Sequence, residues 1–454
     1  MESGWRKHSL ILFGVAAAIR LILYLFAYLN DGLQSVIWTS GDAQNYHLLA
    51  VNLLSGHGFS QGIEPPYSPE MFRTPAYPAI LAAIYSLVGF KPQYALLIQT
   101  LVGALTCVIV SAVERQVFGG RSGGISGWIL AGYPLCVMYD ISLLTESIFT
   151  CLLSASTYFY FRYMESRELK HSAACGVLLG IATLCRPIAM FVPVILIAVL
   201  LSSRLLGLVK GNWKSLFLAC AVLYAGYTVC VYPWALRGEA ISGQGRISHL
   251  GGADIWMRPL AYIRSLENEE SADDHLGRLW SEYGSIVDTD EEWDYVSSAV
   301  VEILTFDPPY WKLQAWGLVV ALYSPQTSYM GALLGWQSSP VDLLSAFAEG
   351  GIVGGASMVL KRKTALELLY ALSMVVYSTI LYSLCAFTCY HNRRSIVVFL
   401  FVVLILYLVG VPGALNDARY RVPAMPYVAI LSSWAVGHLL IRKRGLKGHA
   451  DPTR

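Results

Sequence analysis

Two acidic stations and a scatter of arginines are the residues of this sequence best equipped for chemistry. The first station is Asp42, in SGDAQNYHLLAVNLLSGHGF. It opens a short amphipathic helix in which Tyr46, Leu49, Ala50, Leu53 and Leu54 share one face, as suits a helix lying on a membrane surface. Gly56 and Gly58 end that helix. An aspartate at such a start is often a plain N-cap, and that reading competes with a role as general base. The second station is DISLLTESIF, where Asp140 and Glu146 border an apolar run. An ionisable group at that depth is costly and points to a cavity or a partner. The arginines are Arg73 in MFRTPAYPAILAAIYSLVGF, Arg186 in GIATLCRPIAMFVPV, Arg237 in VYPWALRGEA, and Arg419 and Arg421 in NDARYRVPAMPYVAI. A guanidinium there either snorkels to headgroups or grips a phosphate by a forked, charge-assisted contact.

The elements that must position these residues are mostly apolar. Of 454 residues, 56% are hydrophobic and 14% charged, whereas soluble domains carry roughly a quarter charged residues. Much of the surface therefore faces something other than water. Ten segments are expected to span: Ser9–Leu29, Tyr94–Val113, Gly124–Tyr139, Leu143–Tyr163, Ala173–Cys185, Ile188–Leu201, Ser215–Trp234, Ala365–Cys389, Ile396–Val411 and Val422–Ile441. The first reads as a retained span rather than a removed signal. Pro75–Phe90 is apolar but short, and is expected to lie on the surface as a juxtamembrane helix. All nine cysteines fall in or beside apolar segments, so neither a disulfide framework nor a zinc site is expected. A net charge of +2 gives no sign of a nucleic-acid partner.

With Pro75–Phe90 left out of the count, the basic short loops alternate. Arg115 and Arg121, then Arg162, Arg167 and Lys170, then Arg204, Lys210 and Lys214, then His391, Arg393 and Arg394, and finally Arg442, Lys443, Arg444 and Lys447 share one side. The positive-inside rule puts that side in the cytoplasm. Lys361, Arg362 and Lys363 are the exception, left outside. The expected organisation is a catalytic membrane module over 1–236, with its first outer loop at 30–93. An outer-face region with amphipathic and re-entrant helices follows over 237–364, then C-terminal spans over 365–441 and a basic cytoplasmic tail over 442–454. In the outer-face region the acidic stretch Glu267–Asp294 reads as a solvated helical face before it reads as a metal site. Thr289 and Glu292 suggest a capping box, with Val296, Ala299, Val300 and Ile303 an apolar stripe behind it. Pro308 and Pro309 would stop that helix, and Tyr310, Trp311 and Trp316 suit a return to the membrane interface.

In this topology Asp42, Glu146 and the arginines face one compartment, opposite the cytoplasmic side. Arginines there are not cytoplasmic anchors, but an anionic lipid headgroup would account for them. Asp42 could then remove a proton from an acceptor hydroxyl while arginines stabilise the departing lipid phosphate.

The pieces GDAQNYHLLAVNLLSGHGF, FRTPAYPAILAAIYSLVG, LLTESIFTCLL, GIATLCRP, YPWALR, FDPPYWKLQAW and ARYRVPAMP, in that order over most of the chain, resemble the GT-C superfamily of membrane glycosyltransferases. They are nearest to the dolichyl-phosphate-mannose–protein mannosyltransferases and the lipid A aminoarabinose transferases. The resemblance implies an all-α polytopic bundle with non-spanning juxtamembrane helices in the first outer loop. It implies inverting transfer of a sugar from a polyprenyl-phosphate donor to a glycan, lipid or protein hydroxyl at the extracytoplasmic face. It makes Asp42 and Glu146 the catalytic acids, and Arg73, Arg237, Arg186 and Arg419 the donor-phosphate residues. No cofactor is implied, and a divalent metal stays open, although His47 and His57 match no metal-ligand spacing. One departure bears on the acceptor: protein mannosyltransferases pair two acids in the first loop, whereas Asp42 is followed by Ala43. The membrane would be the plasma membrane, or the endoplasmic reticulum in a eukaryote. Two other functions fit many spans with outer arginines: a polysaccharide polymerase or ligase using a pyrophosphate-linked donor, and a lipid-linked substrate transporter.

Overall fold

Apolar runs fold as helices here because lipid offers peptide groups no partner, so each segment must satisfy its own. The computed structural model describes residues 2–38, 40–119, 123–208, 212–268, 270–287, 289, 291–306, 310–336, 357, 361–411 and 418–443. Among them the fold is all-α except for one two-residue ladder, β1 (Ser60–Gln61) against antiparallel β2 (Ser68–Pro69). Helix α1 (Glu2–Asp31) leads through α2 (Gln34–Ile37) to α3 (Gly41–Leu54), the β1–β2 hairpin and α4 (Ala76–Val88). With 13 residues, α4 is too short to cross, because ~20 are needed. It packs on α3 as a juxtamembrane pair.

The bundle continues with α5 (Pro92–Phe118), α6 (Ile125–Ala131), α7 (Pro134–Asp140), α8 (Glu146–Ser166), α9 (Leu169–Cys185), a 3-10 turn (Pro187–Phe191), α10 (Val192–Leu205) and α11 (Trp213–Ser242). Helix α11 packs on α9, α9 on α8, α8 on α5 and α5 on α1. The α9–α11 seam is closed by glycine. A Cβ at Gly176 would stand 2.0 Å from the Leu223 carbonyl oxygen, and one at Gly180 would stand 2.6 Å from Cys230 Cβ. Small residues of this kind let membrane helices approach backbone to backbone.

Among the described residues, five helical segments are long and apolar enough to span: Ser3–Asp31, Pro92–Phe118, Pro187–Leu205, Trp213–Ser242 and Ala365–His391. Leu169–Cys185 and Ile396–Gly410 are shorter apolar helices. The expected span Gly124–Tyr139 is not one continuous helix but two seven-residue helices in series, α6 and α7. Pro134 at the first position of α7 cannot continue the helix before it. Helix α11, which carries the expected span Ser215–Trp234, does not end at Pro233 but runs on to Ser242, with Arg237 within it.

Beyond α11 a separate three-helix unit builds its own small core. It comprises α12 (Leu250–Asn268), α13 (Ala272–Ile286) and α14 (Glu292–Thr305), around Trp256, Leu260, Leu279, Tyr283 and Ile303. The capping box expected at Thr289 and Glu292 does not form. Glu292 opens α14 with Glu291 as its cap residue, and its carboxylate accepts from Arg246 at 2.7 and 2.8 Å and from the Tyr283 hydroxyl at 2.6 Å. Charge-assisted bonds of that kind outweigh a cap bond. The stripe behind it is partly as expected: Ala299 and Ile303 are buried, whereas Val300 is exposed.

The chain returns through α15 (Tyr310–Tyr323) and α16 (Thr327–Leu333) to α17 (Ala365–His391), α18 (Ile396–Gly410), a 3-10 segment (Ala418–Ala424) and α19 (Met425–Lys443). The stop at Pro308 and Pro309, and Arg121, Lys210, Arg444 and Lys447, lie outside the described residues, as do the side chains of Tyr310, Trp311 and Trp316. Lys363, one of the basic residues that broke the charge pattern, is buried against Glu367 at 3.1 Å. It is therefore a packed ion pair rather than an exposed topology signal.

Candidate functional site

Helix α3 starts one residue before Asp42, and its cap is Ser40, whose hydroxyl accepts from the Ala43 N–H at 3.2 Å. Asp42 is thus not the cap. It lies in the first turn, where the helix dipole favours a carboxylate, and its side chain is free to reach outward. Two guanidiniums from distant parts of the chain meet it. Arg73 donates to Oδ1 at 3.1 Å and Arg419 to Oδ2 at 2.9 Å. Burial alone would push this carboxyl up; the two arginines outweigh that and hold it at about 2. The side chain keeps 30% of its surface accessible.

Arg73 is presented by a strap between β2 and α4, and Glu70 ties that strap. Glu70 is fully buried. Its Oε1 accepts from the N–H groups of Phe72 at 2.6 Å and Arg73 at 2.9 Å, and its Oε2 accepts from Gln61 Nε2 at 2.6 Å. The strap's carbonyls are held as well. Arg237 donates to Glu70 O and Phe59 O at 3.0 Å each, with its guanidinium 4.5 Å from the Trp234 ring centroid. The His249 N–H donates to Met71 O at 3.1 Å, and the Ser248 hydroxyl donates to Phe72 O. Arg237 therefore grips the back of the segment whose front is Arg73.

The second acid joins the same cluster. Glu146 is the first residue of α8 and is buried. Arg186 follows the last turn of α9 in an extended conformation, as a residue before proline prefers. It pairs with Glu146 Oε1 and donates to Thr145 Oγ1 at 3.3 Å. Arg419 Nε lies 3.9 Å from the same Glu146 oxygen, so one arginine links both acids. The Tyr420 ring lies under the guanidiniums of Arg186 and Arg419, at 5.3 Å from each. Glu146 Oε2 is buried and, among the described residues, accepts no hydrogen bond. Asp42, Glu146, Arg73, Arg186 and Arg419 therefore stand together at one end of the bundle, where α9 ends and α8 begins. The basic last turns of α5 and α10, at Arg115 and Arg204, fall at the other end, because successive helices alternate in direction.

Two residues named with this group stand apart from it. Asp140 accepts from Arg20 Nε at 2.7 Å inside the bundle, in room left by Gly103, where a Cβ would meet Asp140 Oδ2 at 2.1 Å. Arg421 is buried and donates to Ala321 O and Ser324 O at 2.9 and 2.8 Å, closing the C-terminal carbonyls of α15. His47 packs between Trp38 and Tyr85, with Nδ1 3.0 Å from the Tyr85 hydroxyl, and burial lowers its pKa. His57 stacks on Tyr67 at 4.0 Å. Among the described residues no three His, Cys, Asp or Glu side chains come together as a metal would require.

Sequence reasoning missed Glu70 and Tyr46. Glu70 carried a faint signal, an acid three residues before Arg73. Tyr46 was read only as part of an apolar face. It is half-buried beside the cluster, with the Arg73 guanidinium 5.9 Å from its ring. Burial, and next the charge of Asp42, push its hydroxyl's pKa up, so it remains a donor.

Residues 72–232 match the family model of dolichyl-phosphate-mannose-protein mannosyltransferase. A search of curated proteins finds no match. Among solved structures, the oligosaccharyltransferase of Archaeoglobus fulgidus in complex with Zn and sulfate shares the fold at a TM-score of 0.51 and 15% identity, over 94% of this chain and 49% of that one. Archaeal oligosaccharyltransferase AglB from the same organism, with an inhibitory peptide and a dolichol-phosphate, gives 0.52 and 16%, over 97% and 52%. The chain thus spans about half the length of these proteins, and the likeness is one of fold. ArnT from Cupriavidus metallidurans, bound to undecaprenyl phosphate, overlaps at 0.42 and 16%, over 98% and 79%, too loosely to carry an argument. The resemblance to GT-C membrane glycosyltransferases read from the sequence motifs agrees with both the family match and the fold.

Proposed function

We propose that the chain transfers a sugar from a polyprenyl-phosphate donor to a hydroxyl acceptor, with inversion, at the extracytoplasmic face of its membrane. The observation that carries this reading is the Asp42 carboxylate bridged by Arg73 and Arg419 next to the Glu146–Arg186 pair. Within this cluster and its strap, the carboxylates of Asp42, Glu146 and Glu70 balance the guanidiniums of Arg73, Arg186 and Arg419. An arriving lipid phosphate competes with the carboxylates for those guanidiniums.

That competition supplies a mechanism. Held between two arginines, Asp42 is a weak base. When a phosphate draws Arg73 or Arg419 away, its basicity rises at the moment a base is needed. The acceptor oxygen attacks the anomeric carbon from the face opposite the phosphate, and its proton passes to Asp42. The bond from carbon to phosphate oxygen breaks, and the polyprenyl phosphate leaves with the electron pair, stabilised by the arginines. A single displacement of this kind inverts the centre. Glu146 holds Arg186 and Arg419 in place for the phosphate. Arg237, spent on the Phe59 and Glu70 carbonyls, acts by holding the strap that presents Arg73. As arranged, the cluster fits a divalent cation poorly, because guanidiniums already stand where the ion would.

The test is release of polyprenyl phosphate from a defined polyprenyl-monophosphate sugar by the purified protein, and by Asp42→Asn. Turnover by the parent and its loss in the folded variant supports the reading, and undiminished turnover in the variant ends the base role. Use of a pyrophosphate-linked oligosaccharide in place of the monophosphate donor would make the chain a polymerase or ligase instead.

A further inference from the structure

Helix α14 has two apolar faces, and the three-helix unit uses only one. Ala299 and Ile303 are buried in the small core. On the far side Trp293 is 77% exposed, Leu304 66% and Val301 59%, with Val300 beside them. At 100° per residue these four residues fall within an arc about 100° wide that contains no charge, only Ser297. Asp294, Ser298 and Thr305 border it on one side. An uncharged apolar arc with a tryptophan at one end, on a helix outside the spans, is the composition of an interfacial helix. The position of α14 in the chain says what covers the arc. It touches α15, an apolar helix that packs on the 3-10 segment Ala418–Ala424 and on α17, a helix long and apolar enough to span, so α14 is held directly against the membrane bundle, within reach of the bilayer surface.

We propose that α14 lies in the bilayer interface with Trp293, Val300, Val301 and Leu304 turned to the lipid. The occupant is the lipid surface itself. Glu291, Glu292 and Asp294 at the start of the helix make anionic headgroups unnecessary and disfavour them. The proposal does not depend on the reaction, but it bears on it. The first residue of α14, Glu292, holds Arg246; Ser248 and His249, just beyond Arg246, hold the Phe72 and Met71 carbonyls, and Arg73 comes next. The membrane surface thereby becomes a support for the strap that presents Arg73.

The test uses the full chain in phosphatidylcholine nanodiscs. A small environment-sensitive fluorophore is attached at Trp293→Cys, Val301→Cys or Leu304→Cys, with Ser285→Cys on α13 as the aqueous control and the parent protein as background for its nine cysteines. Spin-labelled lipids with shallow quenchers should quench the three α14 positions about two-fold or more above the control, with no gain on adding anionic lipid. Quenching equal to that at position 285 would overturn the proposal. So would a blue-shifted emission at the α14 positions that lipid quenchers do not reach, because a second protein surface would then cover the arc. All the labelled positions are exposed, so the substitutions leave the core intact.

Discussion

Among the described residues of the bundle, the Arg20–Asp140 pair and the cluster around Asp42 are built from the same residue types, and they are finished to different degrees. In Arg20–Asp140 each guanidinium nitrogen is spent inside the bundle. Arg20 is fully buried and donates to Asp140, to the Ala16 carbonyl and to Cys107 Sγ, and Gly103 leaves room for the carboxylate. In the cluster around Asp42 the charges are shared rather than matched one to one. One carboxylate serves two arginines, one arginine serves two carboxylates, Glu146 Oε2 has no donor among the described residues, and Asp42 keeps an open flank. The first arrangement can only hold helices together. The second has bonds to exchange, which is what a site for an anion requires. Perturbed and incompletely satisfied charges tend to gather at functional sites, and here the two cases stand side by side in one protein.

The sharpest way to break this comparison is to remove one charge from each set. Asp42→Asn should lower transfer by about 10²–10⁴, the usual contribution of a general base, and leave the protein folded, measured by polyprenyl phosphate release and by thermal unfolding. Arg20→Met should do the reverse. It leaves Asp140 buried without its partner, a loss of about 3–5 kcal/mol in stability, seen as a lower unfolding temperature in detergent. Removing both charges, as Arg20→Met with Asp140→Leu, should recover much of that stability, because a closed buried pair is often replaceable by packed apolar groups. No second substitution should restore activity to Asp42→Asn. If Arg20→Met leaves stability intact while abolishing turnover, the two sets have been assigned the wrong way round.

A smaller effect sharpens the role of the strap. In Glu70→Gln one acceptor of the Phe72 and Arg73 N–H groups, or of Gln61, becomes a donor facing a donor. Arg73 should then be displaced, raising the donor KM about ten-fold with kcat changed less, and Glu70→Asp should restore part of the loss. A fall in kcat alone would show that Glu70 does not act through Arg73.

The helical bundle was legible because hydrophobic periodicity and length are local properties, and a bilayer enforces them. The limits were also local. Pro134 divides an apolar run that looks continuous, whereas Pro233 lies inside α11 without ending it, because a membrane helix tolerates proline when neighbours re-satisfy its backbone. At the site, Asp42 stood out by its place before an amphipathic helix, and the arginines by their place at span ends. Their partners were not readable. Arg419 reaches Asp42 across 377 residues, and no periodicity records such a meeting. Arg237 looked like Arg73 in sequence, yet the structure turns it to backbone carbonyls. Glu70 was hidden because a buried acid serving N–H groups in an irregular strap leaves no pattern.

The smallest expected effect concerns pH, and it separates a pre-paired base from an ordinary one. In the unliganded protein Arg419 and Arg73 more than offset burial and hold Asp42 at about 2, below the ordinary aspartate value of about 4. A depressed folded-state value contributes stability that is present above the unfolded value and lost as pH falls through 2. Between about pH 4 and 8 Asp42 should therefore stay ionised, and it should place no acidic limb on kcat/KM, which reports the free enzyme. Once a lipid phosphate takes an arginine, the carboxyl loses part of what depresses it, and its pKa rises. The acidic limb of kcat, which reports the loaded enzyme, should then lie at higher pH than that of kcat/KM. Measuring both profiles on one donor decides the matter. Coincident limbs would mean that the arginines stay on Asp42 throughout, and that the exchange of guanidinium from carboxylate to phosphate does not occur.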